Sequence, residues 1–197
     1  GVTTRRLEAP GVAELTGAGI YYGAALTEAA SYRGEHMVVV GGANSAGQGA
    51  MFFSRYASKV TILVRSSSLS KSMSQYLIDQ IAATDNIEVL PYHQVVEAHG
   101  QNRLEAVSVL NVETNEVTRM ETPALFLFIG AVPHSDCVAG VVDRNSAGFI
   151  LAGPDLINDG KRPKGWKEQR DPFLLETSVP GIFVAGDVRQ GATRRVA

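Results

Sequence analysis

Gly41-Gly42-Ala43-Asn44-Ser45-Ala46 is the stretch of this 197-residue chain whose residue types and spacing could do chemistry. It puts a small residue at each place of a G-x-G-x-x-G turn. Gly41 suits the sharp bend. Ala43 takes the second place, where backbone approaches a pyrophosphate, and Ala46 the third, where helix and strand pack closely. A helix opening here would offer unpaired N–H groups and a partial positive charge to phosphates. The methyl group of Ala43 departs from the more usual glycine. The plainer alternative is a small-residue turn that binds nothing.

Arg65 is the second candidate. In NAD sites an acidic residue about 20 positions past the turn binds the ribose 2′-hydroxyl. Here Val64-Arg65-Ser66-Ser67-Ser68 stands near that place, with no acid in it. A guanidinium among hydroxyls suits a 2′-phosphate, which favours NADPH over NADH. A solvated arginine at a strand end is the alternative. Lys71 adds charge or faces solvent.

These residues need a scaffold, and the apolar pattern supplies one. Met37 to Val40 is a continuous apolar run, as in a strand buried on both faces. From Ser45 to Tyr56, Ala46, Ala50, Phe53 and Ala57 recur at helical spacing. Val60 to Val64 is the next buried strand, which makes a βαβ unit with a parallel sheet. A second helix is predicted from about Ser70 to Ala83, and a third strand over Ile87 to Leu90. Val95–Ala98, Leu104–Val109 and Glu116–Met120, separated by short polar turns, predict an antiparallel meander. Leu125 to Ile129 reads as a central strand ending at Gly130. Gly153 to Pro172 reads as a surface loop. Gly181 to Asp187 reads as a last strand ending in Gly-Asp. The opening, Gly1 to Arg33, shows turns at Pro10-Gly11 and Gly17-Ala18-Gly19 and no period. The fold class expected is α/β, a Rossmann-like three-layer nucleotide-binding domain with a parallel sheet and a small antiparallel meander.

Composition narrows the function classes. Hydrophobic residues are 45% and charged residues 19%, ordinary for a globular chain. A net charge of −2 gives no support to nucleic-acid binding. No apolar run is long enough for a membrane span. Gly1 to Arg6 has no apolar segment behind it, so no signal peptide is read and a cytoplasmic location is expected. The single Cys137 excludes a disulfide, a CxxC pair or a cysteine-rich zinc site within this chain.

Several segments, in order, resemble the thioredoxin reductase family of flavoproteins with two dinucleotide domains. They are Arg6-Leu7 with Pro10-Gly11, Gly19 to Tyr22, Tyr32 to Gly34, Val38 to Ala46, Phe128 to Pro133 and Val179 to Val188. The resemblance covers nearly the whole chain. It implies an NADPH domain (32–152), preceded by a connecting segment (1–31) from an FAD domain. A linker and returning FAD-domain strand (153–197) would follow. Both ends then read as cuts through a larger protein.

The resemblance places nicotinamide-nucleotide contacts on Gly42 through Ser45, Gln48, Arg65 and Gly130. Ser66 and Ser70 stand where disulfide-reducing relatives carry arginines. It places flavin contacts on Gly186 and Asp187 and, near the ring, on Arg194, Arg195 and Val196. The family's Cys-x-x-Cys positions hold Gly23 and Leu26, so no dithiol relay is expected and thioredoxin reduction is excluded. Gly42 to Gln48, Ser72 to Leu77, Gly153 to Leu156 and Leu175 to Ser178 are similar to a subgroup lacking those cysteines. That subgroup often carries a cyclic-nucleotide-binding domain.

The implied function is an FAD-dependent oxidoreductase that passes hydride from NADPH to flavin and on to another acceptor. The alternative is a nucleotide- or redox-sensing module with little turnover. This chain alone is expected to hold no flavin and to be inactive. A homodimer fits the resemblance, and the acceptor is left open among a small redox protein, a quinone and oxygen.

Other candidates carry little. His36, His93, His99 and His134 lack metal-ligand spacing. His134-Ser135-Asp136 has the residue types of a hydrolase triad, but chain neighbours rarely reach relay geometry. Cys137 is expected to be inert and partly buried. Trp166 covers part of the fold or meets a partner. Phe52-Phe53 and Phe126–Phe128 read as core.

Overall fold

The computed structural model describes residues 1–23 and 26–192, with the backbone alone at Leu26 and Thr27. In chain order the strands are β1 (Val2–Thr4), β2 (Ile20–Tyr22), β3 (His36–Val40), β4 (Lys59–Val64), β5 (Ile87–Pro91), β6 (His93–His99), β7 (Ala106–Asn111), β8 (Val117–Glu121), β9 (Ala124–Leu127) and β10 (Ala131–Pro133). The helices are α1 (Leu26–Ala29), α2 (Asn44–Phe53) and α3 (Gln75–Ala82). The chain divides into two compact units, Arg6–Ile129 and Gly1–Arg5 with Gly130–Ala197.

In Arg6–Ile129, β2, β9, β3, β4 and β5 pair in that order, every pair parallel. Strand alternation sends neighbours to opposite faces. Met37 and Val39 join one apolar cluster with Ala46, Phe53, Leu77 and Ile81 from α2 and α3. Val38 and Val40 join another with Val95, Val107 and Val109 from the antiparallel sheet β6–β7–β8. Helices, parallel sheet and meander are thus the three layers of the expected α/β fold. Phe53 and Phe126, both fully buried, stack with ring centres 4.0 Å apart. Burial of such a ring is worth roughly 1.5–3 kcal/mol. A Cβ at Gly47 would lie 2.7 Å from Leu77 Cδ2 and 2.8 Å from Met73 Cε. The bare backbone there lets α2 and the segment leading into α3 pack closely.

Two expectations in this unit need correction. The second helix begins at Gln75, not Ser70. Leu69–Lys71 form a short 3-10 turn, and Ser74 is extended. Serine side chains compete with the helix for backbone hydrogen bonds: Ser66 Oγ donates to the Ser68 carbonyl and Ser72 Oγ to the Gly42 carbonyl. The opening also holds a strand the pattern did not show. Three residues, Ile20–Tyr22, extend the parallel sheet beside β9.

In the other unit, β1 and β10 form an antiparallel ribbon with Val2 opposite Pro133. A small core of Val142, Ile150, Ala152 and Val184 supports otherwise irregular chain. The Glu176 carboxylate, fully buried by its neighbours, organises the rest. It takes two bonds from Arg170, at 2.6 and 3.0 Å. It also accepts the N–H groups of Phe173 (2.9 Å) and Gly181 (2.8 Å). Arg170 lies 3.9 Å from the Phe173 ring centre and 5.7 Å from that of Trp166. Trp166 Nε1 donates to the Arg170 carbonyl at 2.7 Å. The 153–172 loop is therefore irregular but pinned, and Trp166 covers part of its own fold.

Gly181 to Asp187 is not a strand. Its pairing is a single bridge, Phe183 with Glu176, and Ile182 and Phe183 are exposed. An apolar run becomes a strand only with a ladder neighbour, and this one has none among the described residues. Cys137 is exposed rather than partly buried, in a short 3-10 turn.

Candidate functional site

The turn after β3 carries the candidate site. Gly41 sits at φ +144°, and its N–H donates to the Leu63 carbonyl of β4 at 3.1 Å. A Cβ on Gly41 would lie 2.6 Å from the Phe128 carbonyl oxygen and 3.1 Å from Ala46 Cβ. Ala46 is fully buried at the strand–helix contact. Gly42 is tight as well: an added Cβ would meet Val64 Cγ1 at 3.0 Å.

Ala43 is the residue before α2 and is extended, with no side chain capping the helix. The first N–H groups of a helix have no partner within it. Those of Asn44 and Ser45 donate to no described residue. Ala43, Asn44, Ser45 and Gln48 are exposed, so this uncapped turn faces outward. A helix start of this kind suits an anion.

A second segment braces the turn. Ser72 Oγ donates to the Gly42 carbonyl at 2.8 Å, and the Ser74 N–H donates to Asn44 Oδ1 at 2.8 Å. Ser74 Oγ is buried with no hydrogen-bond partner among the described residues. These serines lie about thirty residues from the turn, a distance over which no local spacing signals a contact.

Arg65 follows β4 and is exposed, and its guanidinium makes no hydrogen bond or ion pair among the described residues. Val40 and Leu63 are register partners, so Gly41 and Arg65 follow the carboxyl ends of adjacent strands. In open α/β sheets ligands bind outside those ends. Lys71 is exposed nearby in sequence. A groove of about 500 Å³ opens beside the same loop, its wall including Ser67, Leu69, Ser70, Ile78, Val89 and Pro91.

The remaining candidates lie in the other unit. Gly130 has φ +87°, and its carbonyl accepts the Arg5 N–H at 3.0 Å. Gly186 has φ +79°, with nothing where a Cβ would stand, and its carbonyl accepts the Arg189 N–H at 3.1 Å. Asp187 is exposed. Arg194, Arg195 and Val196 lie outside the described residues.

The residues set aside from the sequence are structural. His36 Nδ1 faces the Glu121 carbonyl at 3.0 Å, and Nε2 faces Thr61 Oγ1 at 2.8 Å. His134 bonds Thr3, while Ser135 Oγ donates to the Gly148 carbonyl and accepts from Arg144. His134, Ser135 and Asp136 therefore form no relay. No group of three metal-ligating side chains exists among the described residues. No helix among them is long and apolar enough to cross a membrane.

Comparison with known proteins agrees with this architecture. The family model described as pyridine nucleotide-disulphide oxidoreductase matches residues 1–197. The chain belongs to that family. A thioredoxin reductase of Dictyostelium discoideum is 31% identical over 198 residues, covering 99% of this chain and 55% of the relative. One from Bacillus subtilis is 31% identical over 199 residues, covering 100% and 55%. The crystal structure of Lactococcus lactis thioredoxin reductase matches with a TM-score of 0.74 at 27% identity, covering 99% of this chain and 57% of its own. The chain thus spans a little over half the length of these thioredoxin reductases.

Proposed function

We propose that this chain is the nicotinamide-nucleotide-binding part of an FAD-dependent oxidoreductase of the pyridine nucleotide-disulphide oxidoreductase family. In this reading NADPH is the electron donor, and the final acceptor is not a disulfide reached through a CxxC pair. The observation that carries the reading is the uncapped turn Gly41–Ala46. It stands at the carboxyl end of β3, with Arg65 at the end of the neighbouring strand and without a partner among the described residues.

The fit can be judged on the chain itself. Gly41 leaves no room for a side chain against Phe128, so the backbone of the turn is held in one shape. The N–H groups of Asn44 and Ser45 would donate to the pyrophosphate, and the Ala43 methyl group would hold it slightly further from the backbone than a glycine would. Gln48, one helical turn on, hydrogen-bonds the nucleotide from the exposed face of α2. Arg65 meets the 2′-phosphate with a forked guanidinium. Ser66 and Ser70 add hydroxyls in place of further cations. Residues 32–152 form the nucleotide-binding region in this reading, and Gly130 contributes to it.

Gly186 and Asp187, with Arg195 and Val196, would hold the flavin. Asp187 would accept a hydrogen bond from a ribityl hydroxyl there, and Gly186 leaves open space beside it. FAD, when bound, supplies the hydride acceptor. The protein's work is binding and orientation, and no acid or base is required of it. Positions 23 and 26 are Gly and Leu, and Cys137 is the single cysteine, which supports an acceptor such as a quinone, oxygen or another redox protein.

Anaerobic mixing of NADPH with the flavin-loaded intact protein tests the reading. Bleaching of the flavin band is expected, followed by reoxidation with a quinone or oxygen and not with a dithiol-disulfide protein. Tight NADPH binding without bleaching would replace the enzyme by a sensor.

A further inference from the structure

Tyr92 stands at the corner between β5 and β6 with φ +62°. That region is costly for a bulky side chain, and such outliers persist where the surroundings hold them. Here both backbone groups are held. The Tyr92 N–H donates to the Ser66 carbonyl at 3.2 Å, and its carbonyl accepts the Val112 N–H at 2.8 Å. The first bond ties the corner to the residue next to Arg65. The last register pair of β4 and β5 is Val64 with Pro91. One residue further stand Arg65 and Tyr92, side by side at the carboxyl ends of neighbouring parallel strands. Arg65 is exposed and the Tyr92 side chain is partly exposed. Neither Arg65 nor Tyr92 lines the groove of about 500 Å³, but its wall comes close in the chain to both, with Pro91 just before Tyr92 and Ser67 two residues after Arg65.

A left-handed corner can be made by glycine or asparagine without an aromatic ring. The aromatic side chain therefore does not follow from the turn. We infer that Tyr92 is an adenine-contacting residue, offering its ring face to the base while Arg65 holds the 2′-phosphate on the same nucleoside. This rests on the nucleotide reading above and extends it to a residue that the Gly-rich turn does not point to. Base-on-ring stacking needs only an exposed aromatic face and tolerates modest misalignment. A guanidinium beside a tyrosine ring brings charge recognition and stacking to one nucleoside.

The left-handed backbone gives a clean test. Tyr92→Gly removes the ring and relieves the backbone, so stability should hold or rise. The probe is 2′,5′-ADP, which carries the adenosine end and no nicotinamide. Calorimetric titration is run on this chain as wild type, Tyr92→Gly, Tyr92→Asn and Tyr92→Phe, with thermal unfolding alongside. Tyr92→Gly and Tyr92→Asn should weaken 2′,5′-ADP binding about tenfold while unfolding no earlier than wild type. Tyr92→Phe should bind as wild type does. Binding by Tyr92→Gly within twofold of wild type would overturn the inference, and so would equal loss in Tyr92→Phe. A wild-type chain that binds neither NADPH nor 2′,5′-ADP would sink the nucleotide reading itself, and this inference with it.

Discussion

Ser72 Oγ donates to the carbonyl of Gly42 at 2.8 Å, so the loop after β4 holds the turn after β3. Asn44 Oδ1 takes the Ser74 N–H at the same distance and closes the brace from the other side. The turn that would meet phosphates and the loop that begins with Arg65 are therefore one mechanical piece. A net hydrogen bond is worth about 0.5–1.5 kcal/mol. Ser72→Ala should weaken NADPH binding by roughly threefold to tenfold without displacing Arg65's preference for the 2′-phosphate. Titration with NADPH and NADH checks both halves, and an unchanged affinity would show that the brace is idle.

Gly41 allows a harsher test. An alanine there would set its Cβ 2.6 Å from a backbone oxygen at φ +144°. Neither the Phe128 carbonyl nor the turn can move cheaply, because the Phe128 N–H is bonded to Val40 at 2.8 Å. Gly41→Ala should cost about 2 kcal/mol of stability or more and remove nucleotide binding. Chemical denaturation together with a binding assay reads the two effects.

Glu176 gives the second unit an acid-sensitive joint. The bonds from Arg170, then the N–H groups of Gly181 and Phe173, outweigh burial and lower its pKa from 4.5 to about 2. A carboxylate with a depressed pKa stabilises the fold fully above its unfolded value and loses that contribution as pH falls toward the folded one. Glu176→Gln should unfold earlier than wild type at pH 7. The gap should shrink between about pH 4.5 and pH 2. Thermal scans across that range decide it; a gap that stays constant would mean that the charge is irrelevant.

His36 acts in the same direction at a higher pH. Its Nδ1 faces a carbonyl and so carries the proton, which leaves Nε2 to accept from the Thr61 hydroxyl. Burial first, helped by Lys59, lowers its pKa below 6.5, against the Glu121 carbonyl and Glu88. The folded state then binds fewer protons than the unfolded one. Stability is complete above about pH 6.5 and declines as the pH drops through the folded value. Relative to His36→Gln, the wild type should lose melting temperature between pH 7.5 and pH 5. Parallel melting curves for the two proteins would contradict the assignment.

The parallel unit was legible because β3, β4 and β9 are apolar on both faces and α2 repeats at helical spacing. The meander was legible because its strands alternate between short polar turns. What escaped detection depends on partners distant in sequence. Ile20–Tyr22 is too short to show a period and becomes a strand by pairing with β9. Ile182–Phe183 has strand composition and lacks a ladder neighbour among the described residues. Ser72, Ser74 and Tyr92 gave no sign of their contacts, since polar braces and left-handed tyrosines follow no spacing rule. Gly41 and Arg65 were visible because both lie next to strands the pattern had already marked.

The central claim is that Arg65 and the Gly41–Ala46 turn bind a phosphorylated nicotinamide nucleotide. Calorimetric titration of this 197-residue chain with NADPH and NADH, repeated with Arg65→Ala, tests it most directly. The account expects NADPH to bind at least tenfold more tightly than NADH and Arg65→Ala to bring the two level, as loss of a charge-assisted pair requires. Equal affinity in the wild type, or no binding of either nucleotide, would contradict it.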